Sequence, residues 1–120
     1  MTRVSRVIQG TVVLAMGMWL VGPTVRTAQA DDAQQVYAKS CNTCHGPSGK
    51  GDGPAGKMLK PPPADLGTVL KGKADADIAK VIKEGGKAVG KSAAMPSFSG
   101  KLSDDQVKAM VEYVKGFASK

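Results

Sequence analysis

Two cysteines and one histidine lie within five consecutive residues of this 120-residue chain. Cys41 and Cys44 enclose two residues, and His45 follows the second cysteine directly, which gives the pattern C-x-x-C-H. On a helix, two such thiols lie within one turn and can add to the two vinyl groups of a single haem. The adjacent imidazole can then donate a ring nitrogen to the iron. Because His45 is the single histidine in the sequence, it is the one candidate for that ligand.

Three other kinds of chemistry use cysteines at this spacing. A thioredoxin-like dithiol is expected beside a βαβ pattern, which does not surround this motif. Tetrahedral zinc takes about four ligands, so these three residues would need a carboxylate or a second chain. A disulfide across so short a loop would gain little unfolded-state entropy from closure. Haem attachment alone explains the histidine directly after the second cysteine, so we predict one covalent haem c.

Residues 33–120 resemble a class I c-type cytochrome, most closely the small bacterial periplasmic monohaem cytochromes, a group that includes the haem domains of cbb3-type oxidases. The resemblance implies an all-α class I cytochrome c fold, with three to four short helices and Gly/Pro-rich loops around one covalent haem. It also implies haem attachment outside the cytoplasmic membrane. The matching residues are the run 41–46, the run 49–54, the run 61–66 and Met95-Pro96-Ser97-Phe98, followed by a closing amphipathic helix.

The first thirty residues have the pattern of a cleaved signal peptide. Arg3 and Arg6 are followed by a mostly apolar run over residues 7–21, and Ala28-Gln29-Ala30 forms a cleavage site. The alternative, an uncleaved anchor, is disfavoured because the run is shorter than the ~20 residues of a spanning helix. We therefore predict a signal peptide over residues 1–30 and one cytochrome domain over residues 31–120. Together with the resemblance, this predicts a domain in the periplasm of a Gram-negative bacterium, without stable membrane insertion after cleavage.

The charge of the predicted mature part is modest. All three arginines lie in the predicted signal, and residues 31–120 carry fourteen lysines against ten acidic residues, a difference of +4. These lysines either solvate the surface or surround the haem edge and steer docking onto acidic redox partners. Nucleic-acid binding is not expected, because residues 31–120 contain no arginine and no basic run with interleaved aromatic residues. We expect a monomer whose partners are redox proteins.

Apolar periodicity predicts three helices and no strand. The first carries the two cysteines on its inner face, the second covers one side of the core, and the third closes the fold. The first helix is predicted to start with a cap at Asp31 or Asp32 and to end at Gly46. The second is predicted to start with a cap at Asp75 or Asp77 and to end at Gly85 and Gly86. A capping box of Ser103 with Gln106 is predicted at the start of the last helix.

Residues 46–72 are rich in Gly and Pro and are predicted to form one wall of a haem pocket, with a short helical turn at residues 55–59. Glycines there would let the backbone pass close to the porphyrin, and prolines would stiffen the loop. The second ring nitrogen of His45 needs an acceptor. By the resemblance, this is a proline carbonyl of the loop, and we favour the group Pro61, Pro62 and Pro63. Pro63 and Leu66 are predicted to contact the cofactor.

Met95 is the predicted sixth ligand. It lies in a second loop, far along the chain from His45, and Pro96 restricts it to extended backbone. The resemblance points to the same residue. Met58 is the alternative, whereas Met110 falls on the apolar stripe of the last helix and is predicted to fill the core.

With both axial positions taken, no site for substrate is left, so we expect a one-electron carrier and not an enzyme. One alternative is the haem subunit of a periplasmic dehydrogenase or oxidase complex. Another is a haem enzyme or gas sensor with an open sixth site.

Overall fold

A computed structural model describes residues 28–120, so nearly all of the predicted signal peptide, including Met1, Met16 and Met18, lies outside the described residues. This part of the chain contains no β-strand, in agreement with the sequence prediction, and its one isolated bridge joins Ser99 to Leu102. The regular elements are α1 (Ala28–Val36), a π-helical turn (Tyr37–Cys41), α2 (Asn42–His45), a 3-10 turn (Gly56–Met58), α3 (Leu66–Val69), α4 (Asp75–Ala88) and α5 (Asp104–Lys115).

The first helical segment is longer than predicted and is not uniform. The predicted capping by Asp31 or Asp32 is wrong, because both residues lie inside α1. A π-helical turn separates α1 from α2 and ends at Cys41. Such turns insert a residue into the helical ladder and are frequent at functional sites. The segment ends at Gly46, as predicted.

The ends of α4 and α5 are determined by different local contacts. The N-cap of α4 is Ala74, without a side-chain hydrogen bond, so the predicted capping by Asp75 or Asp77 is wrong. The predicted stop appears as a break, because Gly85 has φ 80° and ψ 171°, and one further turn continues to Ala88. The capping box of α5 is confirmed. Ser103 accepts from the amide of Gln106, and Gln106 accepts from the amide of Ser103.

The core lies where α1, α4 and α5 meet. Its buried cluster comes from α4, α5 and the π-helical turn, with Val36 of α1 packed against it, and Met110 is among the buried side chains, as predicted. Tyr37 and Tyr113 pack with ring centroids 5.2 Å apart, which brings the first and last helical segments into aromatic contact. Phe117 adds a third ring, 5.3 Å from that of Tyr37. Three aromatic rings therefore join the segment that carries the cysteines to the C-terminal helix.

Two ion pairs join α4 to α5 at the surface. Lys83 pairs with Asp104 at 2.6 Å, and Lys115 pairs with Asp75. A hydrogen bond of 3.0 Å from Gln106 to Asp32 connects α5 to α1. No helix within residues 28–120 is both long enough and apolar enough to cross a membrane.

Candidate functional site

Cys41, Cys44 and His45 lie together at the end of the first helical segment. Cys41 is the last residue of the π-helical turn, whereas Cys44 and His45 belong to α2. All three side chains are half-buried, and neither cysteine forms a disulfide. Cys41 also packs against the core. The site is therefore next to the core, with both thiols available for covalent chemistry.

Burial changes the protonation of these side chains. It raises the pKa of the Cys41 thiol to about 11, with a smaller contribution from the neighbouring Cys44. Cys41 is therefore a neutral thiol at neutral pH rather than a thiolate. Burial also lowers the pKa of His45. The imidazole is consequently held in the neutral form, which is the form that binds a metal.

The loop after His45 folds back onto the motif through backbone hydrogen bonds. The amide of Gly51 donates to the carbonyl of His45 at 2.8 Å, and the amide of Gly53 donates to that of Cys44 at 3.2 Å. The amide of Ala55 donates to the carbonyl of Thr43 at 3.0 Å. Carbonyls at the C-terminal end of a helix lack helical partners, so these bonds cap α2 and fix the loop against the motif.

The glycines of this loop are needed because other backbone segments pass close to them. A Cβ atom at Gly56 would overlap the carbonyl oxygen of Cys44, and one at Gly51 would overlap the carbonyl oxygen of Pro63. The sequence predicts instead that these glycines let the backbone pass close to the porphyrin. In the structure, the contacts that leave no room for a side chain are with the backbone of the motif and of the proline segment.

His45 has a buried ring nitrogen without a partner. Within the described part of the chain, Nδ1 of His45 and Oδ1 of Asn42 are the buried side-chain polar atoms that lack a hydrogen bond. The predicted bond from His45 to a proline carbonyl is not formed, and the carbonyl of Pro63 lies against Gly51. A buried polar atom without a partner is costly, so the unpaired imidazole nitrogen marks a site where a further interaction is expected.

Leu66 lies at the inner edge of the loop, at the start of α3. Its side chain packs against the core, and Asp65 caps α3 by accepting a hydrogen bond from the amide of Gly67. The amide of Leu66 donates to the carbonyl of Gly49 at 2.8 Å. The C-terminal aromatic Phe117 also faces Gly49. Leu66 is thus near the segment that follows His45, as a haem-packing residue would be.

Met95 lies in the loop between α4 and α5, residues 89–103, here called the Met95 loop. Its side chain is half-buried, and its Cβ faces Gly86. Phe98 of the same loop packs against the core that also receives Cys41 and Leu66. Met58, in contrast, is 82% exposed on the 3-10 turn. The structure thus brings the motif, Leu66 and the Met95 loop around one core.

The comparisons with known proteins agree with this arrangement. A family model described as cytochrome C oxidase, cbb3-type, subunit III matches residues 28–114. The chain belongs to this family. It is a class I c-type cytochrome domain with the all-α fold that the sequence predicts, and such domains carry covalently bound haem c and transfer electrons through its iron. A comparison with curated proteins finds no match.

The residues of the cytochrome domain fit a haem. Two free thiols and a neutral imidazole lie in consecutive turns, and the imidazole has an unpaired buried nitrogen. Leu66 and Phe98 provide apolar surface nearby. A zinc site would need more ligands, and no group of three or more His, Cys, Asp or Glu side chains within residues 28–120 is arranged to hold a metal ion.

Sequence reasoning missed two contributors to this site. The hydroxyl of Tyr37 donates a hydrogen bond to the carbonyl of Gly46, and Asn42 places a buried amide oxygen inside the motif. The apolar periodicity of the first helix gives a signal for burial of Tyr37, but not for its hydrogen bond. No sequence signal distinguished Asn42 from a solvated residue.

Proposed function

We propose that this protein is a periplasmic one-electron carrier with a single haem c and His/Met axial ligation. Cys41 and Cys44 would hold the haem through thioether bonds, and His45 and Met95 would bind its iron. The bound haem supplies reversible Fe(II)/Fe(III) electron transfer. The main observation behind the proposal is the half-buried, neutral imidazole of His45, which lies next to two free thiols and a capping loop.

The surrounding residues would set the environment of the iron. Leu66 and Phe98 would exclude water, which reduces solvent reorganisation during electron transfer. The thioether of Met95 favours Fe(II) and raises the potential relative to a second nitrogen ligand. With both axial positions filled, substrate has no place to bind, and we infer a carrier without enzymatic activity. Pro63 stays a proposed contact of the haem, together with Leu66.

The visible spectrum of the purified holoprotein, oxidised and reduced, tests the ligation. A low-spin spectrum with the weak long-wavelength sulfur-to-iron charge-transfer band is expected. Met95→Ala should remove the band and lower the potential, whereas Met58→Ala should change neither, because Met58 is 82% exposed. A high-spin wild-type spectrum would instead favour an enzyme or sensor with an open sixth site.

Export can be tested by mass and fractionation. Cleavage after Ala30 would remove the first three residues of α1 and leave Asp31 at the new terminus. The expected product is residues 31–120 plus one haem, recovered in the periplasmic fraction. A full-length product in the membrane fraction would indicate an uncleaved anchor.

A second candidate is a subunit of an oxidase or dehydrogenase complex. The family description, which names an oxidase subunit, favours it. Purification from native membranes and periplasm distinguishes the two functions. A carrier would elute as a monomer, whereas a subunit would co-purify with partner chains in fixed stoichiometry.

A further inference from the structure

The break in α4 at Gly85 changes the hydrogen bonding of the residues on both sides of it. Gly85 has φ 80° and ψ 171°, a combination essentially limited to glycine. In an unbroken helix, the amide of Gly86 would donate to the carbonyl of Ile82. Here the amide of Gly86 donates to the carbonyl of Met95 at 3.0 Å, and the carbonyl of Ile82 accepts from the amide of Phe98 at 3.2 Å.

The next carbonyl of α4 also binds the Met95 loop. The carbonyl of Lys83 accepts a hydrogen bond of 2.6 Å from the hydroxyl of Ser97. The same oxygen accepts one of 2.9 Å from the amide of Ser99, and the carbonyl of Gly86 accepts one of 2.7 Å from the amide of Lys91. The broken end of α4 therefore holds the Met95 loop at Met95 itself and on both sides of it.

The two glycines also leave the loop the space it occupies. A Cβ atom at Gly85 would lie 2.8 Å from the amide nitrogen of Ser97 and 3.0 Å from the carbonyl oxygen of Met95. A Cβ atom at Gly86 would overlap the carbonyl oxygen of Ser92. All of these neighbours are backbone atoms, so no side-chain rearrangement could make room for a methyl group.

We propose that Gly85, Gly86 and Ser97 are positioning residues that fix the Met95 loop and thereby the hold of its thioether on the haem iron. This inference rests on the proposed ligation by Met95. A thioether is a weak neutral ligand, so its occupancy of the iron depends on how firmly its loop is held. The hydrogen bonds to Ile82 and Lys83 would oppose any opening of the loop that releases the sulfur.

The test compares holoprotein variants by two spectroscopic readouts. These are the intensity of the sulfur-to-iron band and the rate at which added imidazole replaces the sixth ligand. Gly85→Ala should lose most of the band. Ser97→Ala should keep the band, but imidazole should replace its sixth ligand roughly fivefold faster. This is the effect expected from losing one net hydrogen bond that opposes opening of the loop. Ser97→Thr restores the hydroxyl and should restore the wild-type rate.

Gly90→Ala is the matched control. Gly90 lies in the same loop with φ 71°, but a Cβ atom there would meet nothing within 4 Å. Gly90→Ala also places a side chain at positive φ, but without the contact with Met95, so its band and exchange rate should match the wild type.

The outcomes separate the two proposals. In one outcome the wild type shows the band, and imidazole replaces the sixth ligand of Gly85→Ala and Ser97→Ala at the same rate as in Gly90→Ala. The positioning role is then wrong, and the ligation by Met95 stands. If Gly85→Ala does not fold, the exchange rates of Ser97→Ala and Ser97→Thr decide the matter alone. If the wild type lacks the band, Met95 is not the ligand and both proposals are rejected.

Discussion

The hydroxyl group of Tyr37 donates a hydrogen bond of 2.7 Å to the carbonyl oxygen of Gly46. Tyr37 starts the π-helical turn, and Gly46 directly follows His45, so the bond spans the whole segment that carries both cysteines. Tyr37 is only 2% exposed and also packs against Tyr113. One side chain thus connects the end of the motif to the core.

Replacing this hydroxyl tests the connection. We expect Tyr37→Phe to lower the free energy of unfolding by about 1 kcal/mol, the net value of one intramolecular hydrogen bond. The loss is not larger because the carbonyl of Gly46 also accepts from the amide of Gly49 at 3.1 Å. Denaturant unfolding measures it, with Tyr113→Phe as the control. Equal stability of wild type and Tyr37→Phe would contradict the prediction.

The same pair predicts a pH dependence. Burial, with smaller contributions from nearby negative groups, raises the pKa of Tyr37 well above its usual range. Above a pH of about 10, the unfolded chain loses this proton while the folded protein keeps it, so stability falls as pH rises. The stability advantage of wild type over Tyr37→Phe should therefore shrink above that pH. A constant difference up to strongly alkaline pH would argue against it.

The packing of Gly56 on Cys44 predicts a local effect. In Gly56→Ala, the methyl group would overlap the carbonyl oxygen of Cys44, which should cost about 1–3 kcal/mol and displace the loop. Hydrogen exchange of the amides of Gly51, Gly53 and Ala55 should become faster. Gly72→Ala is the control, because a Cβ atom there meets nothing within 4 Å. In Gly72→Ala, hydrogen exchange at the same three amides should match the wild type.

The surface pair of Lys83 and Asp104 gives a second pH dependence, of opposite sign. The hydrogen bond and charge of Lys83 lower the pKa of Asp104. The stabilisation is therefore present above the ordinary carboxyl pKa and is lost as pH falls through the lowered one. Thermal unfolding of wild type and Lys83→Ala should differ slightly at neutral pH and converge in acid or at high salt. Lys80→Ala serves as the comparison, and a difference that persists in acid would refute the effect.

Met110 anchors the core and gives the largest expected loss of stability. It is 1% exposed in the cluster formed by α4, α5 and the π-helical turn. Met110→Ala should cost about 2–5 kcal/mol through lost burial and a cavity. Met110→Leu keeps the volume and should cost less than about 1.5 kcal/mol. Denaturant unfolding of both variants measures these losses. Similar losses of unfolding free energy in the two variants would contradict the prediction that the buried volume of this side chain determines its contribution.

Local sequence patterns predicted the features that depend on local contacts. Ser103 and Gln106 form the capping box because both partners lie within one turn. The apolar stripe of the last helix correctly placed Met110 in the core. The C-x-x-C-H spacing identified the cytochrome class, because few other chemistries need that arrangement.

The features that were mispredicted or missed depend on distant segments. Asp75 looked like a cap, but its carboxylate pairs with Lys115, forty residues away, and Ala74 is the N-cap of the helix. The break at Gly85 looked like a simple helix end. Its hydrogen bonds to the Met95 loop depend on tertiary packing, which no local pattern encodes.

The two ion pairs between α4 and α5 have a further consequence in terms of helix dipoles. Each pair joins an aspartate in a first helical turn, Asp75 or Asp104, to a lysine further along the other helix. A helix carries partial positive charge at its N-terminus and partial negative charge at its C-terminus. The pairs therefore favour an antiparallel arrangement, and a parallel one would set like charges side by side. The pattern of surface charge thus helps specify chain direction in the C-terminal half of the protein.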